Sequence, residues 1–538
     1  MKRNVFSIAA FAVITVIAVS CGRGDKSGLS IPKDASVVVH INTGGLTKKL
    51  SWDEIKSTNW FREIYTEAND SLAKKVMDDP GASGIDIDKD LAFFAKKQGR
   101  GGYLVFEGSV KDVTAFEAFN KKINDGAAAT KSGDLTIMKL KHNGVLSWNS
   151  SKFVYVLNAP NMGGFANMGQ GITQEAYSFP ADSLQMFGTV LYDLPSDQSM
   201  YTDDRFAATM KEDGDMHVWM NNERNYGSMA EGMLSMLKVN ALFDKNATGM
   251  SVSFDDGKIS VKSKQFFNKE VLKLLEKYPA KDISADVVNR IPSQNVVAAM
   301  VMNYPPEGLK ELMKLFGFDG AVNGFMQQVG YSVDEFVKAN KGELLITVTD
   351  LKPFTGFDSA SINPDGSVRS GANMGPEMNY LFATSINDKP AFDKMVGIIA
   401  GKVGDISQSS VFPKLNYSMN NNWFAAGNSQ EQVTKFLAGG NNKQPFASKI
   451  TGHPFGAYVD LQKVMASGRG AATDSTSKVA VDLSIKMWQD ILVTGGNLKN
   501  DALVYDVEIN LVNKSTNSLK QLNQYADQMS LNKKNKTN

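Results

Sequence analysis

The chain has 538 residues, 42% of them hydrophobic, and sets 58 Lys and Arg against 57 Asp and Glu. That balance excludes the basic field a nucleic-acid partner needs, while the length supports several cores at ~100 to 200 residues per domain. The one cysteine, Cys21, excludes intrachain disulfides, so the fold must rest on apolar packing.

In chain order, Lys2 and Arg3 precede a nearly unbroken apolar run from Val5 to Val19, which closes in the small residues Ala18, Val19 and Ser20. A charged start and an apolar stretch of about 15 residues have the form of a secretion signal, residues 1–20. A spanning helix needs ~20 apolar residues, and no later segment approaches that length. The junction with Cys21 resembles the lipobox read by bacterial lipoprotein signal peptidase, with Ala18 where the common box has Leu. The resemblance implies that the Cys21 sulfur is diacylglycerylated and that cleavage frees its amine for acylation. Residues 21–30, polar from Gly22 to Ser30, then form a lipidated tether. Several acyl chains give a stable anchor, because each buried CH₂ contributes ~0.8 kcal/mol. Removing the signal takes Lys2 and Arg3 away and leaves 56 basic against 57 acidic residues, a net charge of −1.

After the tether, Ile31 and Pro32 lead into an apolar strand with Val37, Val38, Val39 and Ile41. Phe61, Ile64, Ala68, Leu72 and Val76 fall at helical spacing, and Pro80 with Gly81 ends that helix. The strand Tyr103 to Phe106 precedes a helix carrying Phe116 and Phe119. Alternation at Met250, Val252 and Phe254, a turn at Asp255 to Gly257, then Ile259 and Val261 predict a hairpin with one buried face. A helix with Leu272, Leu275 and Tyr278 follows.

The same plan then recurs. Ile291, Pro292, Val296, Val297, Ala298 and Val301 restate the opening 260 positions later. Tyr380, Leu381 and Phe382 precede a helix carrying Phe392 and Met395, and a strand from Leu503 to Leu511 precedes a helix with Leu519, Leu522 and Tyr525. The preserved order points to a duplication of whole domains, not a solenoid of short units. The expected fold class is α+β: two similar domains, residues 31–280 and 291–531, each an antiparallel sheet with packed helices. They are joined by a linker, residues 281–290, and followed by a disordered tail of Lys and Asn, residues 532–538. Surface loops are expected at Asn124–Asp134, Asn158–Gln174, Thr355–Pro376 and Ala466–Lys478.

Reactive constellations are absent at the level of motifs. The four histidines, His40, His142, His217 and His453, share no helix-turn spacing, so neither a metal nor another cofactor is expected. His217 lies beside Val218 and Trp219, as on a strand face near a core. Asp86, Asp88 and Asp90 match the first ligands of a calcium loop, but Leu91 and Lys97 stand where Gly and Glu are required. Gly99, Gly101 and Gly102 lack the Lys and Ser or Thr of a phosphate loop. Adjacent acids, Asp78 with Asp79 and Asp203 with Asp204, suit turns and helix starts. Trp52 and Trp60 suit core packing, and Met229, Met233 and Met236 suit a core stripe more than a binding face.

With the signal, Cys21, the two Ile-Pro openings and the two-part plan together, the chain resembles a family of uncharacterised Bacteroidota envelope lipoproteins, defined by a domain of unknown function. The resemblance implies location without activity, and only Cys21 carries a role over from it. Gly22, Arg23, Gly24, Asp25 and Lys26 lack the acidic run that accompanies surface display in that group. The expectation is therefore a lipid-anchored protein of the outer membrane facing the periplasm. Its partners are the membrane, through lipid on Cys21, and envelope proteins. A non-catalytic interaction subunit is the first expectation, ahead of a ligand- or glycan-capturing protein and of a hydrolase acting on envelope polymers.

Overall fold

The computed structural model describes residues 28–68, 71–99, 101–141, 143–159, 177–226, 243–353, 377–406, 415–472 and 474–537. The signal, Cys21, most of the tether, His142, the three methionines at 229, 233 and 236, and the loop at 355–376 lie outside them, as does nearly all of that at 158–174. The protein is α+β, and its strands pair antiparallel in two compact units.

In the first unit the strands are β1 (Val37–Ile41), β2 (Leu91–Gln98), β3 (Gly101–Ser109), β4 (Ala129–Ser132), β5 (Leu135–Leu140), β6 (Gly144–Trp148), β7 (Lys152–Asn158), β8 (Met216–Asn221), β9 (Ala247–Asp255) and β10 (Lys258–Phe266). Their order across the sheet is β10, β9, β8, β1, β2, β3, β7, β6, β5, β4. Val38 faces Phe94 on one side and Trp219 on the other. The helix Val113–Ile123 is started by the Asp112 side chain accepting from the Ala115 N–H. It sets Phe116 against Phe153 and Trp148, with ring centroids 5.3 and 5.8 Å apart, and all three are 0% exposed.

In the second unit the strands are β11 (Val296–Asn303), β12 (Asn340–Thr349), β13 (Asn379–Ile386), β14 (Asn416–Met419), β15 (Trp423–Gly427), β16 (Phe455–Asp460), β17 (Trp488–Lys499) and β18 (Ala502–Leu511). Their order is β18, β17, β16, β11, β12, β13, β15, β14. The core gathers Ile291, Val301, Leu345, Ala383, Ala425 and Val433, with Trp423 edge-on to Phe436 at 5.4 Å.

Several elements differ from the sequence expectation. The segment 281–290 is no linker: Ile283, and Val287 and Val288 of the short helix Ala285–Asn289, join the second core, where they are 2%, 2% and 0% exposed. The bounds 31–280 and 291–531 also divide the chain differently from its packing. The helix Lys269–Lys277 belongs with the second unit, and residues Thr516–Leu531 belong with the first. There Asp527 accepts from the Trp60 N–H at 3.2 Å and from Asn59, and Lys520 pairs with Glu54 at 2.6 Å. The last helix, Ser518–Thr537, runs through the segment expected to lack structure, because each residue added to a formed helix gains a backbone bond. The single helix expected across Phe61 to Val76 is two, Asn59–Glu67 and Ser71–Asp78. Asn124–Asp134 contributes β4, and Ala466–Lys478 contains the end of one helix and the start of another.

Truncating a fully buried ring should cost about 3–5 kcal/mol. Phe116→Ala is therefore expected to lower the denaturation midpoint of the first core, and Phe436→Ala that of the second, both measured by urea titration of the purified chain.

Candidate functional site

The second unit carries a cleft of ≈ 620 Å³. One wall is the helix Lys269–Lys277 with Leu274 and Leu275, continuing into Tyr278, Pro279 and Ala280; its Asn268 side chain caps the first turn. The facing wall is the helix Pro306–Leu315, which contributes Gly308, Leu309 and Leu312 and begins with a proline where the missing N–H costs nothing. The sheet supplies Met302 and Asn303 at the end of β11, Phe455 of β16, residues 496–499 of β17, and Leu503 and Tyr505 of β18.

Two glycines permit this geometry. A Cβ on Gly308 would lie 2.8 Å from the Tyr278 Cβ, so the two walls approach only because it is absent. Gly342, with φ +101°, accepts the Tyr304 N–H on its carbonyl at 2.8 Å; a Cβ there would meet the Tyr304 carbonyl oxygen at 1.9 Å.

The lining is mainly apolar, with a few polar groups. Burial pushes the Tyr304 and Tyr505 hydroxyls above the ordinary tyrosine range, so both are neutral donors at neutral pH. Asn303 donates from Nδ2 to the Asp282 carbonyl at 2.9 Å, while its Oδ1 is buried without a hydrogen-bond partner among the described residues. Glu276 and Lys499 add one charge of each sign. Among the described residues no Ser, Cys or His lines the cleft. What it offers is an apolar surface with neutral donors and a buried acceptor, the composition of a binding site.

This cleft was not visible in the sequence, because its residues come from six segments between positions 274 and 505. The residues singled out there take other positions. His217 sits on β8 opposite His40 of β1, both nearly buried, with 3.2 Å between their Nδ1 atoms. His40 Nε2 lies 3.1 Å from Asp90 Oδ2, and His217 Nε2 lies 2.9 Å from the Glu212 carbonyl oxygen. Asp86 and Asp88 turn elsewhere: Asp86 accepts the Asp88 N–H, and Asp88 pairs with Lys111. Asp79 and Asp203 cap helical turns, and Asp78 accepts from the Tyr65 hydroxyl. The Trp52 and Trp60 indoles donate to the Met77 carbonyl and to Asn523, with their rings packed around Phe61. Among the described residues no three His, Cys, Asp or Glu converge as a metal-ion ligand set.

Burial foremost, and the neighbouring His40, lower the His217 pKa, outweighing the Glu212 carbonyl and the nearby carboxylates that raise it. The unfolded chain therefore takes up the proton at the higher pH, near ~6.5. The stability this site contributes is complete above that value and declines as pH falls towards the lower folded pKa, by ~1.4 kcal/mol per pH unit across that window. His217→Gln should flatten the fall in the first unit's urea midpoint between pH 7 and 5; an unchanged slope would show that another group carries it.

A family model described as a domain of unknown function (DUF4836) matches residues 29–352, more than half of the chain. No curated protein matches. Among solved structures, crystal forms III, IV and I of TP0453 are similar at 12%, 13% and 12% identity, with TM-scores of 0.25, 0.23 and 0.24. They cover 49%, 50% and 49% of this chain and 90%, 86% and 90% of theirs.

Proposed function

The chain belongs to the DUF4836 family of unknown function, and from that premise we propose that it is a lipid-anchored envelope protein acting by binding and not by catalysis. Its anchor is lipid on Cys21 in the outer membrane, facing the periplasm. Its working surface is the second-unit cleft, which takes an apolar segment of an envelope partner. The observation that carries this reading is the cleft's composition: about 620 Å³ walled by Leu274, Leu275, Leu309, Leu312 and Phe455. Among the described residues no helix is long and apolar enough to cross a membrane, which is consistent with an anchor outside them.

The two units read as copies of one ancestral domain. In both, a strand following an Ile-Pro pair lies mid-sheet, between the next strand in sequence and one from the unit's later part: β2 and β8 flank β1, and β12 and β16 flank β11. Ile31 and Ile291 are both 0% exposed. Eight strands follow the same order in each, with β4 and β5 added at one edge of the first.

A second reading, capture of a small molecule, is favoured by the unpartnered Asn303 Oδ1, which a ligand N–H or O–H would satisfy. A photo-crosslinker at Leu309, which is 38% exposed, separates the two in native membranes. The first reading predicts one envelope protein recovered reproducibly and lost when Leu312→Asp is added. A small molecule retained by the purified chain, with no crosslinked partner, would replace it with the second.

Cys21→Ser should abolish fatty-acid labelling and release the protein from the membrane fraction without altering its thermal unfolding. Labelled acyl chains on that variant would contradict the anchor.

A further inference from the structure

The first unit holds a separate cleft of ≈ 530 Å³ with different chemistry. Its apolar side is built by the helix Ala181–Thr189 and the turn after it. Phe187 stacks on Tyr103 with ring centroids 4.6 Å apart and an interplanar angle of 12°. Met186 and Val190 line the cleft yet remain 57% and 53% exposed, an unusual cost for two large apolar side chains side by side. Burial foremost keeps the Tyr103 phenol protonated, so it adds no charge.

The polar side is cationic. Lys33, Lys96 and Arg224 line it against one carboxylate, Asp34. Lys96 and Asp34 neutralise each other at 2.8 Å. Lys33 and Arg224 make no ion pair among the described residues. Two cations left over beside an exposed apolar shelf define one kind of complement: a body that covers Met186, Val190 and Phe187, joined to an anionic group reaching Lys33 and Arg224.

We propose that this cleft is a binding site for anionic amphiphiles, organic anions with an apolar or aromatic body and a carboxylate, sulfonate or phosphate end. The guanidinium of Arg224 suits a two-oxygen anionic group, and Lys33 supplies a second point charge. The site differs from the second-unit cleft in position and in charge, and it does not depend on the reading of that cleft.

The probe is 8-anilinonaphthalene-1-sulfonate, an aromatic anion whose fluorescence rises in apolar surroundings, with neutral N-phenyl-1-naphthylamine as its uncharged counterpart. The full mature chain should bind the sulfonate, and the affinity should fall at least about tenfold in the Lys33→Ala/Arg224→Ala variant, or when salt is raised from low to high ionic strength. Both residues are solvent-facing, so far-ultraviolet circular dichroism and the unfolding midpoint should be unchanged. Val190→Glu should weaken the sulfonate further by placing a like charge on the shelf, while the neutral probe's affinity in the double alanine variant should stay within about twofold. Displacement of the sulfonate by sodium decanoate would identify free organic anions as ligands, and displacement only by phosphatidylglycerol vesicles would identify an anionic headgroup. Sulfonate binding that survives the double alanine variant, or that neither competitor displaces, would overturn the proposal.

Discussion

Each unit depends on the pairing of its central strand. β1 is only five residues long, yet both of its edges are occupied, by β2 through His40 with Ala92 and by β8 through His40 with His217. Just beyond the ladder the Asn42 N–H donates to the Asp215 carbonyl at 2.9 Å and Lys49 pairs with the Asp215 carboxylate at 2.7 Å, so residues near 40 and near 217 are tied by the ladder and by its flanks. The same constraint operates at β11, held between β12 and β16 through Val301 with Leu345 and Gly456. Such non-local pairing demands loop closure before it yields stability, and the apolar faces stacked beneath the central strands supply the compensation.

That constraint accounts for where the clefts lie. In the second unit β11 ends at Asn303, and the chain turns through Tyr304 and Pro305 into a helix whose Gly308 lets Tyr278 approach. The helix Lys269–Lys277 covers the same end of the sheet but leaves a gap, bounded below by the ends of β17 and β18. The first unit carries an aromatic cluster of its own. Trp52, Trp60, Phe61 and Tyr65 pack there with Leu519 of the last helix, and Asp527 accepts backbone N–H groups at the start of the helix Asn59–Glu67.

Much of the fold was legible because it is written in local periodicity. The hairpin of Met250 to Val261 appears as β9 and β10, turned at Asp256 and Gly257, whose φ of +68° only glycine adopts freely. The strand at Tyr103 and the helix through Phe116 appear where alternation and helical spacing placed them. What was illegible depended on tertiary partners. Lys281 to Arg290 looked like a linker because its charges obscure Ile283, Val287 and Val288, three apolar positions too few to register as a helix. The placement of Ser518 to Leu531 in the first unit depends on Asp527 meeting Asn59 and Trp60, groups more than 460 positions away. The clefts were hidden for the same reason, since no stretch of sequence contributes more than a few of their residues.

The central claim is that the second-unit cleft is preformed and binds apolar groups. Hydrogen–deuterium exchange of the full mature chain, with and without saturating N-phenyl-1-naphthylamine, tests it most directly. Within the second unit, the account predicts added protection confined to amides around 274–280, 302–312, 454–455 and 496–505, with the strand centres of β11 and β12 unchanged. Protection spread over the second unit's strand centres, or none at those four segments under saturating probe, would contradict it.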